Sequence, residues 1–172
     1  SLGDLDAART SLDEALALLR EIGSRLGIAF ALTKLGKIAA ARGNVEEATA
    51  SCLESLDLAR EVGHPRAVAE CLEAAADVAH RRGQHARSAR LLGLATERRE
   101  RDGAPARGRP VASGQGEAAL RRHLGEAEFI AARNAGRLLD LARAREEIAA
   151  ILVDGPAEPR ACATGIPPVP SR

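Results

Sequence analysis

The sequence predicts an all-α fold, a right-handed superhelix of antiparallel helical hairpins, and three observations carry that prediction. First, aligning the chain on itself at an offset of forty residues stacks Gly3, Gly43 and Gly83, and likewise Gly23, Gly63 and Gly103. The segments Gly3-Asp-Leu-Asp-Ala-Ala8, Gly43-Asn-Val-Glu-Glu-Ala48 and Gly83-Gln-His-Ala-Arg-Ser88 stack with them. A fixed period of roughly 20–50 residues marks a stacked array in which no unit buries its apolar face alone. Second, between these glycines the apolar residues recur at steps of three and four, one face of a helix. Third, 45% of the residues are hydrophobic but only 1% aromatic, so the interior is built from Leu, Ala, Ile and Val, which suit closely packed helices.

Residues 4–22 place Leu5, Ala8, Leu12, Ala15, Leu16 and Leu19 on one helical face, and Gly23 follows where a left-handed residue closes a helix. Ser24 is placed to cap the next helix, which runs to Arg42 with Ile28, Ala31, Leu32, Leu35 and Ala39 inward. After Gly43 the pattern repeats over 44–62, with Val45, Ala48, Cys52, Leu56 and Ala59 inward. Gly63-His64 then leads into 65–82, where Pro65 sits in the first turn and its missing amide hydrogen costs nothing. A fifth helix over 84–102 keeps Ser88, Leu92 and Ala95 in register. Connections of one to three residues make neighbouring helices antiparallel.

Residues 103–116 hold four glycines and two prolines and predict a loop. A degenerate third repeat and a cap are expected over 117–152: helices at 117–124, at 126–135 closed by Gly136, and at 141–152 capped by Asp140. An atypical terminal unit is what a solenoid needs to cover its end. The proline-rich stretch 153–172 reads as a disordered tail.

Lys and Arg number 25 against 24 Asp and Glu, a net charge of +1, which gives no global reason to expect nucleic acid or membrane. The charge is mildly polar along the chain, net −3 over residues 1–82 and net +4 over 83–153. Cys52 and Cys71 occupy positions that sister repeats fill with Leu12 and Ala31, so they read as small core residues in a reducing compartment. No run approaches the roughly 18 apolar residues of a membrane span, and the start lacks a signal-peptide pattern. The expectation is a soluble, cytoplasmic chain. Because it opens with a repeat already under way, it is expected to be part of something longer.

Leu32, Leu35, Gly36, Ala39, Gly43, Val45, Ala48 and Cys52 resemble, in order, the small and large positions of the tetratricopeptide repeat. Leu72, Ala75, Ala76, Ala79, Gly83, His85, Ser88 and Leu92 match them again. The family's usual Trp and Tyr positions are Leu and Ala here, and the period is forty where the standard repeat has 34. HEAT or armadillo repeats share the period without the Leu-Gly, Gly, Ala spacing and are the fold alternative.

The C-terminal part carries a second resemblance. Ser88-Ala-Arg-Leu-Leu-Gly-Leu-Ala95, Gly103-Ala-Pro105, Leu124-Gly-Glu-Ala-Glu-Phe129 and Gly136-Arg-Leu-Leu-Asp-Leu141 resemble the C-terminal end of STAND-class ATPase regulators, including LuxR-type transcriptional activators. Where that family follows the last Leu with a capping Ser or Thr and two acidic residues, this chain has Asp140, then Ala142 and Arg143. The resemblance implies a regulatory sensor arm joined to a nucleotide-binding domain. A free-standing tetratricopeptide adaptor without ATPase is the alternative.

No catalytic motif is found, and no enzyme, cofactor or metal is expected. Gly114-Gln-Gly116 lacks the Lys-Ser/Thr of a phosphate loop. His64, His80, His85 and His123 show no metal-ligand spacing among themselves or with the cysteines. The pairs Arg81-Arg82, Arg98-Arg99 and Arg121-Arg122 are spread over three helices and interleaved with Glu97, Glu100 and Glu117, which argues against direct nucleic-acid binding.

In tetratricopeptide stacks the first helix of each hairpin lines the concave side. By that resemblance the lining positions here are Phe30, Thr33 and Lys37, then Glu70, Glu73, Asp77 and His80. The last four share a stripe by their spacing. An acidic stripe edged by Lys37 and Arg81 is expected to receive a basic or amide-bearing peptide, another protein, or another domain of the same protein. The competing reading is an ordinary solvated helix face.

Overall fold

The computed structural model describes residues 2–101 and 113–155. They form eight α-helices: α1 (Leu2–Glu21), α2 (Arg25–Ala41), α3 (Val45–Val62), α4 (Pro65–Arg81), α5 (His85–Arg101), α6 (Ser113–Leu124), α7 (Glu126–Arg137) and α8 (Leu141–Val153).

The first four turns are one device used every twenty residues. Gly23, Gly43, Gly63 and Gly83 all have φ between 67° and 79°, the left-handed region where a side chain is strained. At each turn the glycine N–H and the next N–H reach back into the preceding helix. Gly43 N–H bonds to Ala40 O at 3.0 Å and Asn44 N–H to Ala39 O at 2.9 Å, and the same pair of bonds recurs at Gly23, Gly63 and Gly83. This closure satisfies carbonyls that a helix end would otherwise leave orphaned. The next helix starts at once: Asn44 caps α3 by accepting from Glu47 N–H at 3.1 Å, and His64 Nδ1 accepts from Ala67 N–H at 3.2 Å. Ser24 stands at the N-cap of α2 but makes no side-chain cap bond, so its expected capping role is not realised.

Helices α2 and α3 form one hairpin and α4 and α5 the next, with α2 lying beside α4 and α3 packed back onto α4. This is a superhelix of stacked helical hairpins. Close approach within the first hairpin depends on Gly36, where a Cβ would meet Ala48 O at 3.3 Å and Cys52 Sγ at 3.4 Å. Helix α4, rich in alanine, is the centre of the stack, with Ala67, Val68, Cys71, Leu72, Ala75, Val78 and Ala79 all buried. Cys71 Sγ donates to Cys52 O at 3.1 Å, and both cysteines are free and buried in the core. Helix α1 is an edge: it packs on α2 through Leu16, while Leu18 and Ile22 are exposed.

The C-terminal unit departs from the repeat. Helix α7 packs along α5, and α8 turns back to lie across α3 with its flanks on α4 and α5. Asp140 caps α8 as expected, accepting from Arg143 N–H at 2.8 Å. Two expectations are corrected. Gly136 does not close α7; it lies within it, buried against α5. Helix α6 begins at Ser113, so residues 113–116 are helical where composition predicts loop. The first turn of a helix needs no intrahelical acceptor for its N–H groups, and both prolines of the stretch lie upstream of it. The remainder of that stretch and the tail beyond 155 lie outside the described residues.

Candidate partner-binding groove

The expected groove residues sit on α2 and α4, which lie side by side, but they do not all face solvent. Phe30 is half-buried, its ring edge-on to His64 with centroids 6.0 Å apart. Lys37 is exposed. Thr33 is only 2% exposed. Its hydroxyl donates to Ala29 O at 3.0 Å and lies 2.8 Å from Ser55 Oγ, so it ties α2 to α3. It offers no surface to a partner. Periodicity places Thr33 on α2; it cannot reveal a hydroxyl partner on the next helix.

The acidic stripe is real as a row on α4 but is largely neutralised within the molecule. Glu73 is 7% exposed and receives both Nε and Nη2 of Arg99, at 2.7 and 3.0 Å, a bidentate pair between α4 and α5. That hydrogen bond raises the pKa of Arg99. Glu70 pairs with Arg66 at 3.1 Å and Asp77 with Arg81 at 2.9 Å, each one helical turn away. Glu73 is thereby removed from the accessible lining, which leaves Phe30, Lys37, Glu70, Asp77 and His80.

His80 belongs to a cluster that spacing alone does not disclose. His80 Nδ1 lies 3.2 Å from His85 Nδ1. The His85 and His123 rings stack with centroids 4.0 Å apart and planes 11° from parallel, bringing together the end of α4, the start of α5 and the end of α6. A nitrogen–nitrogen contact of this kind needs one donor and one acceptor, so the two imidazoles cannot both carry a second proton and keep it. Burial lowers the pKa of both His80 and His85, with the charge of His123 acting in the same direction. The sequence signal was His80 and His85 flanking one tight turn; the third ring arrives from α6. Among the described residues no group of three or more His, Cys, Asp or Glu is arranged to hold a metal ion.

A second polar array fastens α8. Glu147 accepts from Arg90 Nε and Nη2 and from Arg87 Nε, all at 2.9 Å. Burial works to raise its pKa, but the two guanidinium groups outweigh burial and hold it below the usual carboxylate value. Gln84, buried, donates to Ile151 O at 3.2 Å and Asp154 O at 2.6 Å, closing the last turn of α8 onto the start of α5.

Among the described residues no helix is long and apolar enough to cross a membrane. Searches of curated proteins and of solved structures found no significant match. Residues 27–101, the span from α2 to α5, match the family model of the tetratricopeptide repeat, and with the stacked hairpins seen there the match supports a tetratricopeptide-repeat region at the centre of the chain.

Proposed function

We propose that the face formed by α2 and α4 binds a protein or peptide, through Phe30, Lys37, Glu70, Asp77 and His80, and that the chain is the non-catalytic C-terminal sensor arm of a cytoplasmic STAND-type ATPase regulator of the LuxR kind. The observation that carries the binding role is the match of 27–101 to the tetratricopeptide repeat, a module that generally binds proteins or peptides. The regulator context rests on the resemblance of Ser88–Ala95, Leu124–Phe129 and Gly136–Leu141 to the ends of such proteins. In that role, occupancy of the groove biases the ATPase between two states by differential affinity.

The stripe's carboxylates are already matched to Arg66 and Arg81. A basic partner therefore gains by taking Glu70 and Asp77 over from exposed one-turn pairs that are worth about 0.3–0.5 kcal/mol each. Charge reversal of these two (E70K/D77K) is expected to abolish binding of Arg/Lys-rich peptides displayed on an array. Undiminished binding by the folded variant would refute the groove. For the regulator context, the expected finding is a phosphate-binding loop encoded in the same reading frame.

A further inference from the structure

A cleft with a volume of about 130 Å³ opens where α3 ends and α4 begins; none of the residues assigned to the α2–α4 face lines it, although His64 at its wall packs on the Phe30 ring. Arg60, His64, Arg98 and Arg101 line it, over an apolar floor that includes Val68 and Leu141. From this we infer that the cleft is a second binding site, one that takes an acidic side chain of a protein partner, its carboxylate on the arginines and its methylenes on the floor.

The charge balance of the cleft carries the inference. Arg60 is exposed and has no ion partner among the described residues. Arg98 and Arg101 both lean on one carboxylate, Glu97, which lies 3.3 Å from Arg98 Nε and in contact with Arg101. That contact does not satisfy the donor: Arg98 Nε is buried and without a hydrogen-bond partner, as is Glu97 Oε2. His64 adds a further donor. Its Nδ1 accepts from Ala67 N–H, which places the proton of the neutral ring on Nε2. Three guanidinium groups and one imidazole therefore stand against a single carboxylate. Planar guanidinium forks match a carboxylate well. The apolar floor favours a ligand with a short aliphatic stem, such as a glutamate side chain, over a strongly hydrated free phosphate.

The test uses the whole chain, a fluorescent hexaglutamate peptide and inorganic phosphate as probes, with circular dichroism to confirm folding of each variant. The peptide is expected to bind, to weaken about fivefold or more in the exposed-site variant Arg60→Ala, and to weaken further in Arg60→Ala/Arg98→Ala. Lys34→Ala, which removes one exposed cation outside both the cleft and the α2–α4 face, is expected to leave binding unchanged. Three results would each overturn the assignment: no binding of the peptide, equal loss in the lysine control, or competition by phosphate at concentrations below those at which the peptide binds.

Discussion

Gly93 and Gly136 meet where α5 crosses α7, and each is the hole that the other helix's backbone fills. A Cβ on Gly93 would overlap the carbonyl of Arg133 and lie 3.2 Å from Arg137 N; a Cβ on Gly136 would overlap the carbonyl and Cα of Arg90. Because the obstructing atoms are backbone, they have no rotamer by which to yield. The crossing is the point at which the C-terminal unit is locked onto the repeats, and ion pairs stand to one side of it: Arg137 with Glu100, Arg133 with Glu117.

Alanine at either glycine is therefore expected to destabilise the chain by about 1–3 kcal/mol, the range for overpacking, even after the gain of up to about 1 kcal/mol that alanine brings to a helix interior. The control is Gly116→Ala in α6, where nothing lies within 4 Å of the added methyl. That change is expected to stabilise by about 0.5–1 kcal/mol. Urea unfolding midpoints at constant slope separate the outcomes. Equal effects at Gly93 and Gly116 would show that the crossing is not tightly packed.

These two glycines also mark how far the sequence could be read. The turns at Gly23, Gly43, Gly63 and Gly83 were legible because a left-handed closure demands glycine at a fixed place, and the forty-residue period repeats the demand. The inward faces of α2 to α5 were legible because burial follows the helical step. Gly93 and Gly136 serve a tertiary approach, which no local spacing encodes, so Gly136 read as a helix end. The groove shows the same division. Spacing put Glu70, Glu73, Asp77 and His80 on one stripe of α4, but that Glu73 is taken by Arg99 and His80 by His85 depends on how α5 packs back. Helix faces follow from sequence period, whereas partners across helices follow from stacking.

The imidazole cluster predicts a pH dependence with a definite sign. His80 and His85 have folded-state pKa values lowered by burial and by the other imidazoles, with Asp77 opposing and Arg81 assisting at His80. Above the unfolded value of about 6.5 all states are neutral and the cluster is at its most stable. As pH falls below that value the unfolded chain binds more protons than the folded one, so stability declines until the folded pKa values are passed. Urea melts between pH 7.5 and 5 are expected to show this decline, and a His80→Gln/His85→Gln variant to flatten it. Hydrogen exchange is expected to show the ends of α4 and α6 loosening first.

The Glu73–Arg99 pair predicts an asymmetry between breaking and replacing it. Removing Arg99 strands a carboxylate that is 7% exposed, whereas removing both partners leaves an apolar site. Arg99→Ala is expected to cost about 2–4 kcal/mol, somewhat below the usual figure for a fully buried pair because the arginine is partly exposed. Glu73→Met/Arg99→Met is expected to recover most of that loss. A double-mutant cycle on denaturant midpoints measures the coupling directly. A double variant no more stable than Arg99→Ala would mean that the pair is held for something other than charge compensation.

Among the described residues Glu147 is the single carboxylate that accepts from both Arg87 and Arg90, so it should govern whether α8 stays on the repeats. Its lowered pKa places the loss of its contribution at low pH: the stability it adds is complete above about 4.3, the ordinary glutamate value, and is lost as pH falls through the folded pKa. That window lies below the histidine window, so the two are separable in one titration. Glu147→Gln keeps the shape and removes the charge. It is expected to raise exchange of the α8 amides by about tenfold, equivalent to about 1.4 kcal/mol of local opening, while the amides of α4 remain protected. A uniform rise across α4 and α8 would indicate instead that the cap and the repeats open as one cooperative unit.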